Sequence, residues 1–308
     1  MEEKWKDLLR HCTLCPRMCG VDRLSGKAGF CGAAGEGVKV ARAALHAWEE
    51  PCISGERGSG TVFFSYCTLR CGFCQNREIR GGEAGAVISI ERLSDIFLEQ
   101  QGRGAHNINL VTPTHYIPQI VTALSLAREK GLHLPVVYNT SGYERVEILR
   151  LLEGVVDVWL PDFKYMDDTL AQTYSSAPHY GEIALAALTE MVRQAGEPVF
   201  DEDGMMVKGV IIRHLSLPGH LSDSKAAMQA LFSRFDNRVY YSLMNQYTPP
   251  PFSLPWENLN HRLPEKDYDA LIDYALSLGV ENGFTQEEGT AEESYIPPSD
   301  LEGVLPEG

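Results

Sequence analysis

Residues 58–76 read GSGTVFFSYCTLRCGFCQN, an apolar run followed directly by three cysteines in a C-x3-C-x2-C spacing. The β-branched and aromatic residues of TVFFS, at 61–65, predict a buried strand. Cys67, Cys71 and Cys74 then lie on the loop that follows the carboxyl end of this strand. Ligands of parallel α/β sheets bind at that end of the strands. The cysteine loop is therefore a candidate functional site.

Outward from this loop, strand patterns alternate with amphipathic helix patterns as far as residue 278. Strands are predicted at 61–65, 107–112, 135–139, 155–160, 207–215 and 238–243, and helices at 91–101, from about 118 to 131, 143–153, 180–194, 222–235 and 264–278. Regular alternation of this kind predicts an α/β fold with a parallel sheet and crossover helices. Periodicity alone leaves two architectures open, a doubly wound sheet and an incomplete barrel.

Composition divides the chain into three parts. Residues 1–59 are rich in cysteines and turn-forming residues, and we expect a separate small module there. Residues 60–285 carry the strand–helix units and form the expected core domain. Residues 286–308 are acidic and contain prolines, so an irregular C-terminal tail is expected.

The overall composition excludes some classes of protein. The chain has 308 residues, of which 44% are hydrophobic, enough for a substantial core. A formal net charge of −15 argues against general nucleic-acid binding, which needs a basic surface. The chain has neither an apolar signal segment at its start nor a stretch long enough to span a membrane. We expect no membrane association and a cytoplasmic location, where thiols stay reduced.

Eight cysteines in a reducing compartment indicate metal or redox chemistry rather than disulfides. The thiolates of Cys67, Cys71 and Cys74 can hold three corners of a cubane iron–sulfur cluster and leave its fourth iron open to a substrate. The alternative is a structural zinc site that borrows a fourth ligand such as Cys52. Cys52 could also be a substrate-side residue or a buried apolar thiol, and we expect the buried thiol.

A second group of cysteines lies near the N-terminus, with the spacing Cys12-x2-Cys15-x3-Cys19-x11-Cys31. Four thiolates separated by glycine-rich turns predict a closed metal site. Structural zinc and a fully ligated iron–sulfur cluster fit this spacing equally well. Four reduced thiols in a small core are the remaining alternative.

The motif CTLRCGFC resembles the C-x3-C-x2-C motif of the radical S-adenosylmethionine superfamily. The segments LCPRMCGVDR, WEEPCISG, YNTSGY, LPDFKYMD and IRHLSLPG resemble a branch similar to pyruvate formate-lyase activating enzymes. This resemblance covers nearly the whole chain. It implies a partial (β/α)6 TIM-like barrel with a [4Fe-4S] cluster on the three loop cysteines.

The resemblance further implies a radical SAM oxidoreductase. Such an enzyme cleaves S-adenosylmethionine (SAM) reductively to methionine and a 5′-deoxyadenosyl radical, which abstracts hydrogen from a substrate. The expected substrate is a glycine of a glycyl-radical enzyme partner, or else a small molecule or another protein. A reducing donor such as flavodoxin or ferredoxin is implied as well. The competing hypothesis is an iron–sulfur electron-transfer or structural metalloprotein without radical chemistry.

The resemblance also implies contacts to the cofactor. Phe73 would pack against the adenine, and Asn76 would orient the cluster loop. After the second strand the family has Gly-Gly-Glu, but this chain has Val-Thr-Pro-Thr at 111–114, so the hydroxyl of Thr112 or Thr114 would replace that contact.

Further contacts are implied after the third, fourth and fifth strands, at Asn139, Ser141, Asp162, Lys164, Arg213 and His214. Asn139 and Ser141 would lie near the ribose and the methionine carboxylate. Asp162 and Lys164 would face the cofactor as a charged pair, unless they form a solvated surface ion pair. Arg213 or His214 would reach the ribose or the substrate backbone.

Overall fold

The computed structural model describes residues 2–286 and 298–306. Most of the tail predicted over 286–308 therefore lies outside the described residues. Within the described ranges, no helix has the length and apolar character needed to cross a bilayer.

The described residues contain ten strands in one sheet. They are β1 (Val38–His46), β2 (Ser59–Phe64), β3 (Ala86–Ile88), β4 (Ile108–Val111), β5 (Val136–Thr140), β6 (Val158–Pro161), β7 (Val199–Phe200), β8 (Met206–Leu215), β9 (Tyr240–Met244) and β10 (Gly283–Phe284). The order across the sheet is β10-β9-β8-β6-β5-β4-β2-β1-β3, and β7 pairs with β8 outside this path. From β2 to β10 all neighbours along the path run parallel.

The predicted α/β fold with a parallel-rich sheet is confirmed, and the six predicted strands correspond to β2, β4, β5, β6, β8 and β9. These strands join the sheet in chain order, without the reversal that marks a doubly wound sheet. Every residue of β2 is buried, as expected for a parallel strand covered on both faces. The carboxyl ends of these strands all open on the same edge of the sheet.

Ten α-helices accompany the strands in the described part of the chain. They are α1 (Glu3–Arg10), α2 (Pro51–Ser54), α3 (Arg77–Gly81), α4 (Ile90–Gly102), α5 (Ile117–Glu129), α6 (Val146–Leu149), α7 (Asp168–Ser175), α8 (Tyr180–Ala195), α9 (Leu221–Phe235) and α10 (Glu265–Leu278). The helix predicted over 143–153 is shorter than expected. Glu144 is drawn into buried hydrogen bonds with Thr114 and Thr140, so the helical turn starts only at Val146.

Strand β1 was not predicted, because its sequence VKVARAALH has few of the residues that favour strands. It pairs antiparallel with β2 and with β3. Upstream of it, Trp5, Leu9 and Cys12 share a core with Leu69 and Phe73 of the cysteine loop. The domain boundary at residue 59 stays a prediction from composition, while residues before it contribute to the same sheet and core as those after it.

Candidate active site at the carboxyl ends of the strands

The cysteine loop begins directly after β2. Tyr66 turns the chain with a left-handed φ of 76°, which is strained for a residue with a side chain. Its N–H donates to the carbonyl of Ile79 at 2.7 Å, and this bond fixes the start of the loop. Cys67, Cys71 and Cys74 then line one cavity. We call it the strand-end cavity.

Backbone N–H groups are directed at two of the three sulfur atoms. Cys67 receives the N–H of Leu69, and Cys74 receives the N–H of Asn76. Both donors lie two residues after the sulfur that they approach. Donors in this position stabilise a thiolate, because they bond to the charged form. The role of Asn76 in orienting the loop stays a prediction, and its side chain makes no capping bond to α3.

The third sulfur has a side-chain donor, since the Ser175 hydroxyl donates to Cys71 Sγ at 3.0 Å. Burial raises the pKa of Cys67 well above its ordinary value, and it raises the pKa of Cys74 to about 11. These two thiols are therefore protonated near neutral pH, and metal binding would displace their protons. Three thiol donors on one loop, each with a bonding partner, fit an iron–sulfur cluster.

Beside the cysteines, Arg213 of β8 is the centre of a buried polar network. Its Nη1 donates to Glu49 Oε2 at 2.9 Å, its Nε to Asp162 Oδ1 at 3.0 Å and its Nη2 to Asn139 Oδ1 at 2.6 Å. Asn139 also donates to Glu49 Oε1 at 3.1 Å. Burial by itself lowers the pKa of Arg213, but the neighbouring carboxylates outweigh it and raise that pKa. The guanidinium is consequently held charged and in a fixed orientation.

Lys164 completes this network and extends it toward the cysteines. Its Nζ donates to Asp162 Oδ2 at 2.6 Å. Burial raises the pKa of Asp162, but Lys164 and Arg213 outweigh it and hold that pKa below its ordinary value. The two side chains are only 15% and 16% exposed, so the solvated surface pair is not what forms here. Counting Glu49, this network contains two cations and two carboxylates that contact one another at the wall of the cavity.

Other predicted contact residues are distributed around the same cavity. Phe73, Thr112 and Ser141 line it, and the ring of Phe73 lies 5.8 Å from that of Tyr247. His214 does not line it, because neighbouring residues of a strand point to opposite faces and Arg213 takes the inward position. The Nδ1 of His214 is 2.7 Å from the carbonyl oxygen of Phe163 instead. The geometry therefore gives no support to a cofactor contact at His214.

Glu49 is the main residue of this site that sequence analysis missed. It lies on the loop between β1 and α2, and Asn109 and Asn139 both donate to its Oε1 at 3.1 Å. The only signal in the sequence is the acidic pair Glu49-Glu50 within WEEPCISG, a segment that also carries the family resemblance. Trp48, on the same loop, also lines the cavity.

All eight cysteines lie within the described residues and are free thiols. Among residues 2–286 and 298–306, no three His, Cys, Asp or Glu side chains are spaced to hold a single metal ion. Cys52 is buried, which raises its pKa to about 12. The identity of a metal at Cys12, Cys15, Cys19 and Cys31 stays a prediction.

Residues 61–206 match the family model described as the Radical SAM superfamily. The match begins in β2, includes the cysteine loop and ends at the start of β8. It supports radical chemistry with SAM and an iron–sulfur cluster.

Similarity to other proteins is more distant. An uncharacterized protein of Methanocaldococcus jannaschii is 27% identical over 285 residues, which are 90% of this chain and 77% of that protein. The structure of Streptococcus suis SuiB bound to the precursor peptide SuiA is similar at 15% identity and a TM-score of 0.48, over 73% of this chain and 47% of SuiB. This chain thus spans about half the length of SuiB. A domain of pyruvate-formate lyase-activating enzyme from Bacteroides vulgatus matches at 16% identity and a TM-score of 0.38, over 55% of this chain and 89% of that domain.

Proposed function

We propose that this protein cleaves SAM reductively to methionine and a 5′-deoxyadenosyl radical, which abstracts hydrogen from a substrate. The observation that carries the proposal is the strand-end cavity. There, three thiols on the loop after β2 share the cavity with a network of buried polar and charged side chains from β5, from the loops after β1 and β6, and from β8. An electron carrier without radical chemistry has no use for a polar cavity beside an incomplete ligand set.

In this proposal Cys67, Cys71 and Cys74 hold a [4Fe-4S] cluster that has one open iron. When bound, the cluster supplies the electron that breaks the S–C5′ bond of SAM. The protein positions the reactants and excludes water. Phe73 would pack against the adenine of SAM, while Asn139 and Ser141 would bind the ribose and the methionine carboxylate.

The charged side chains of this network would orient SAM in the cavity. Lys164 lies between Asp162 and the cysteines, where it can pair with the methionine carboxylate. Arg213 already donates from each of its three nitrogen atoms, so we expect it to hold Asp162 and Asn139 in position rather than to bind SAM directly. Thr112 would replace the family's contact to the methionine amino group.

We further propose that the substrate is a protein, with a glycine of a glycyl-radical enzyme partner as the first candidate, as in the activase-like branch. A second groove supports a polypeptide substrate. It shares Phe73, Cys74 and Asn76 with the strand-end cavity and continues along Pro249–Pro251 and Pro298. A partial (β/α)6 barrel, supported by the sequential order of the parallel strands, would place both openings at one end. A cytoplasmic flavodoxin or ferredoxin would supply the electron.

The first part of the proposal is tested by anaerobic reconstitution with iron and sulfide, followed by dithionite and SAM. We expect 5′-deoxyadenosine and methionine in equal amounts. The matched control is Cys52→Ala, which removes a buried thiol outside both cysteine groups and should retain this activity. An intact cluster that yields no 5′-deoxyadenosine would favour the electron-transfer protein instead.

The substrate is tested with a formate-lyase-type glycyl-radical enzyme whose glycines carry deuterium at Cα. Hydrogen abstraction from glycine would transfer deuterium into 5′-deoxyadenosine, which mass spectrometry detects. Product without deuterium, formed at the rate seen with no partner added, would contradict this assignment.

A further inference from the structure

We infer that Cys12, Cys15, Cys19 and Cys31 hold a second iron–sulfur cluster, through which one electron passes from an external donor to the cluster on the Cys67 loop. This inference rests on the proposed function. It assigns the N-terminal cysteines an electron-entry role in the same reaction.

The N-terminal cysteines repeat the local geometry of the Cys67 loop. Three of them are approached by the backbone N–H two residues further on, donated by Leu14 to Cys12, by Arg17 to Cys15 and by Ala33 to Cys31. The same i to i+2 donor serves Cys67 and Cys74. Turns of this type present N–H groups to a thiolate before any metal is bound. The two groups are thus prepared for the same class of ligand.

The four sulfur atoms lie within electrostatic range of one another. Cys12 interacts with Cys19 and Cys31, and Cys15 interacts with Cys31 and Cys12. The sulfur of Cys19 packs directly against the backbone of Gly29, where a Cβ atom would lie only 2.4 Å from Cys19 Sγ. The four thiols thus form one group near the N-terminus.

A buried arginine beside this group lacks a negative partner. Arg23 is fully buried, and its Nη1 donates to the carbonyl of His115, while its Nε and Nη2 have no hydrogen-bond partner among the described residues. Its charge acts on Cys12 and Cys31. An unpaired guanidinium in the interior is costly. A cluster held by four thiolates is an anion, and it would supply the missing negative charge at this position.

The two cysteine groups are joined by a single side chain. Arg17 follows Cys15 by two residues, and its Nε donates at 3.1 Å to the carbonyl of Thr68, the residue after Cys67. Its charge interacts with the thiols of both Cys15 and Cys67. The N-terminal group therefore borders the catalytic loop at a distance that one arginine spans.

The opposite side of the N-terminal group reaches the surface. Cys19 is exposed, whereas Cys12, Cys15 and Cys31 are buried. A site with one edge at the surface and another beside the catalytic loop suits electron entry. A zinc ion held by four thiolates would also be an anionic complex and would balance the charge of Arg23 equally well. Zinc, however, has no redox chemistry that would use this path.

The electron balance is simple. A reduced one-electron donor of the flavodoxin or ferredoxin class is oxidised and reduces the N-terminal cluster by one electron. That electron then moves to the cluster at Cys67, Cys71 and Cys74. It finally enters the S–C5′ bond of SAM, which breaks to methionine and the 5′-deoxyadenosyl radical. No proton is transferred in this sequence.

The metal content of the holoenzyme tests the site itself. After anaerobic reconstitution we expect roughly eight irons per chain in the wild type and in the Cys52→Ser control, and roughly four in the Cys12→Ser/Cys15→Ser double variant. The reduced wild type should show electron paramagnetic resonance signals of two clusters, and the double variant one. Zinc together with only four irons in the wild type would overturn the inference.

The choice of reductant tests the relay. In the double variant, 5′-deoxyadenosine formation driven by reduced flavodoxin should fall by roughly a hundredfold, while formation driven by dithionite stays within roughly twofold of wild type. Dithionite is small and can reduce the catalytic cluster directly. An unchanged flavodoxin-driven rate would overturn the relay. If the wild type fails with dithionite as well, the proposed function fails, while the iron count still decides on the second cluster.

If the double variant does not fold, Arg23→Gln tests the placement of the second cluster, because this variant keeps all four thiols. Loss of a positive charge beside the cluster makes its reduction harder. A redox titration should therefore show a lower midpoint potential for one of the two signals and no change in the other. Two unchanged signals would overturn the placement of the second cluster beside Arg23.

Discussion

The two cysteine groups differ in how charge is balanced around them. Next to the Cys67 loop, the positive charges of Arg213 and Lys164 lie within hydrogen-bond distance of the negative charges of Asp162 and Glu49. Next to the N-terminal group, Arg23 Nη1 donates to a backbone carbonyl and the guanidinium lies over the ring of Tyr116, while Nε and Nη2 have no hydrogen-bond partner in the described chain. The cations beside the Cys67 loop are thus paired with carboxylates, whereas Arg23 has no carboxylate partner among the described residues.

The largest expected effect separates the two groups directly. Cys71→Ala removes one of three ligands at the catalytic loop, so we expect loss of 5′-deoxyadenosine formation and of roughly half of the bound iron. The N-terminal cluster should keep its resonance signal, because its ligands are untouched. Retained turnover in this variant would contradict the assignment of Cys71 as a ligand.

The two arginines should respond in opposite ways in protein without clusters. Arg213→Gln leaves Glu49 and Asp162 buried with fewer partners, so we expect the free energy of unfolding to fall by about 3–5 kcal/mol. Arg23→Gln removes an unpaired buried charge and should leave the stability unchanged or increase it. Anaerobic urea denaturation of both variants measures the difference. Equal losses would show that the charge of Arg23 is already balanced.

Glu144 links the two regions, since Thr114 donates to it at 2.5 Å and its charge acts on Cys15. Burial raises its pKa from 4.5 to about 7. Its contribution to stability is therefore present below pH 4.5 and is lost as the pH rises to 7. Across that window we expect a loss of roughly 3 kcal/mol, which Glu144→Gln should abolish.

Glu147→Gln is the matched control for this pH effect, because Glu147 lies three residues away with its side chain 66% exposed. Urea denaturation at pH 5 and pH 8 measures both variants. If Glu144→Gln keeps the pH dependence of the wild type, this carboxyl is not its source.

The smallest expected effect is a change in the midpoint potential of one cluster. Ser175→Ala removes the hydrogen bond to Cys71 Sγ, together with a contact of 2.8 Å to the Tyr165 hydroxyl. We expect about 1 kcal/mol of lost stability and a lower midpoint potential of the catalytic cluster. The N-terminal signal is the internal control. A shift in both signals would mean that the substitution acts through the fold rather than through the sulfur.

Much of the fold was predictable because buried parallel strands have a strong local signal. The apolar runs of β2, β4, β5, β6, β8 and β9 are short, β-branched and separated by amphipathic helices. β1 was not predictable in this way, since its alanines and arginine give no preference for a strand. It becomes a strand because its backbone pairs with β2.

The candidate site likewise contains some residues that local sequence patterns predicted and others that they did not. Asp162, Lys164 and Arg213 were expected at strand ends, and they meet there. His214 was expected beside them, but the alternation of side chains along β8 turns it to the other face. No sequence pattern showed that Glu49, more than 160 positions away, would accept a bond from Arg213.

The sequence by itself determined the two cysteine groups, because the spacing of cysteines is a local property: three on the loop after β2 and four near the N-terminus. It also determined the parallel-rich α/β fold, because hydrophobic periodicity is local as well. Only the tertiary structure decided what surrounds each group, since charge balance depends on residues that meet from distant parts of the chain. It gave the Cys67 loop the neutral network around Arg213. It gave the N-terminal group a buried Arg23 with unpartnered nitrogen atoms, and placed Arg17 between the two.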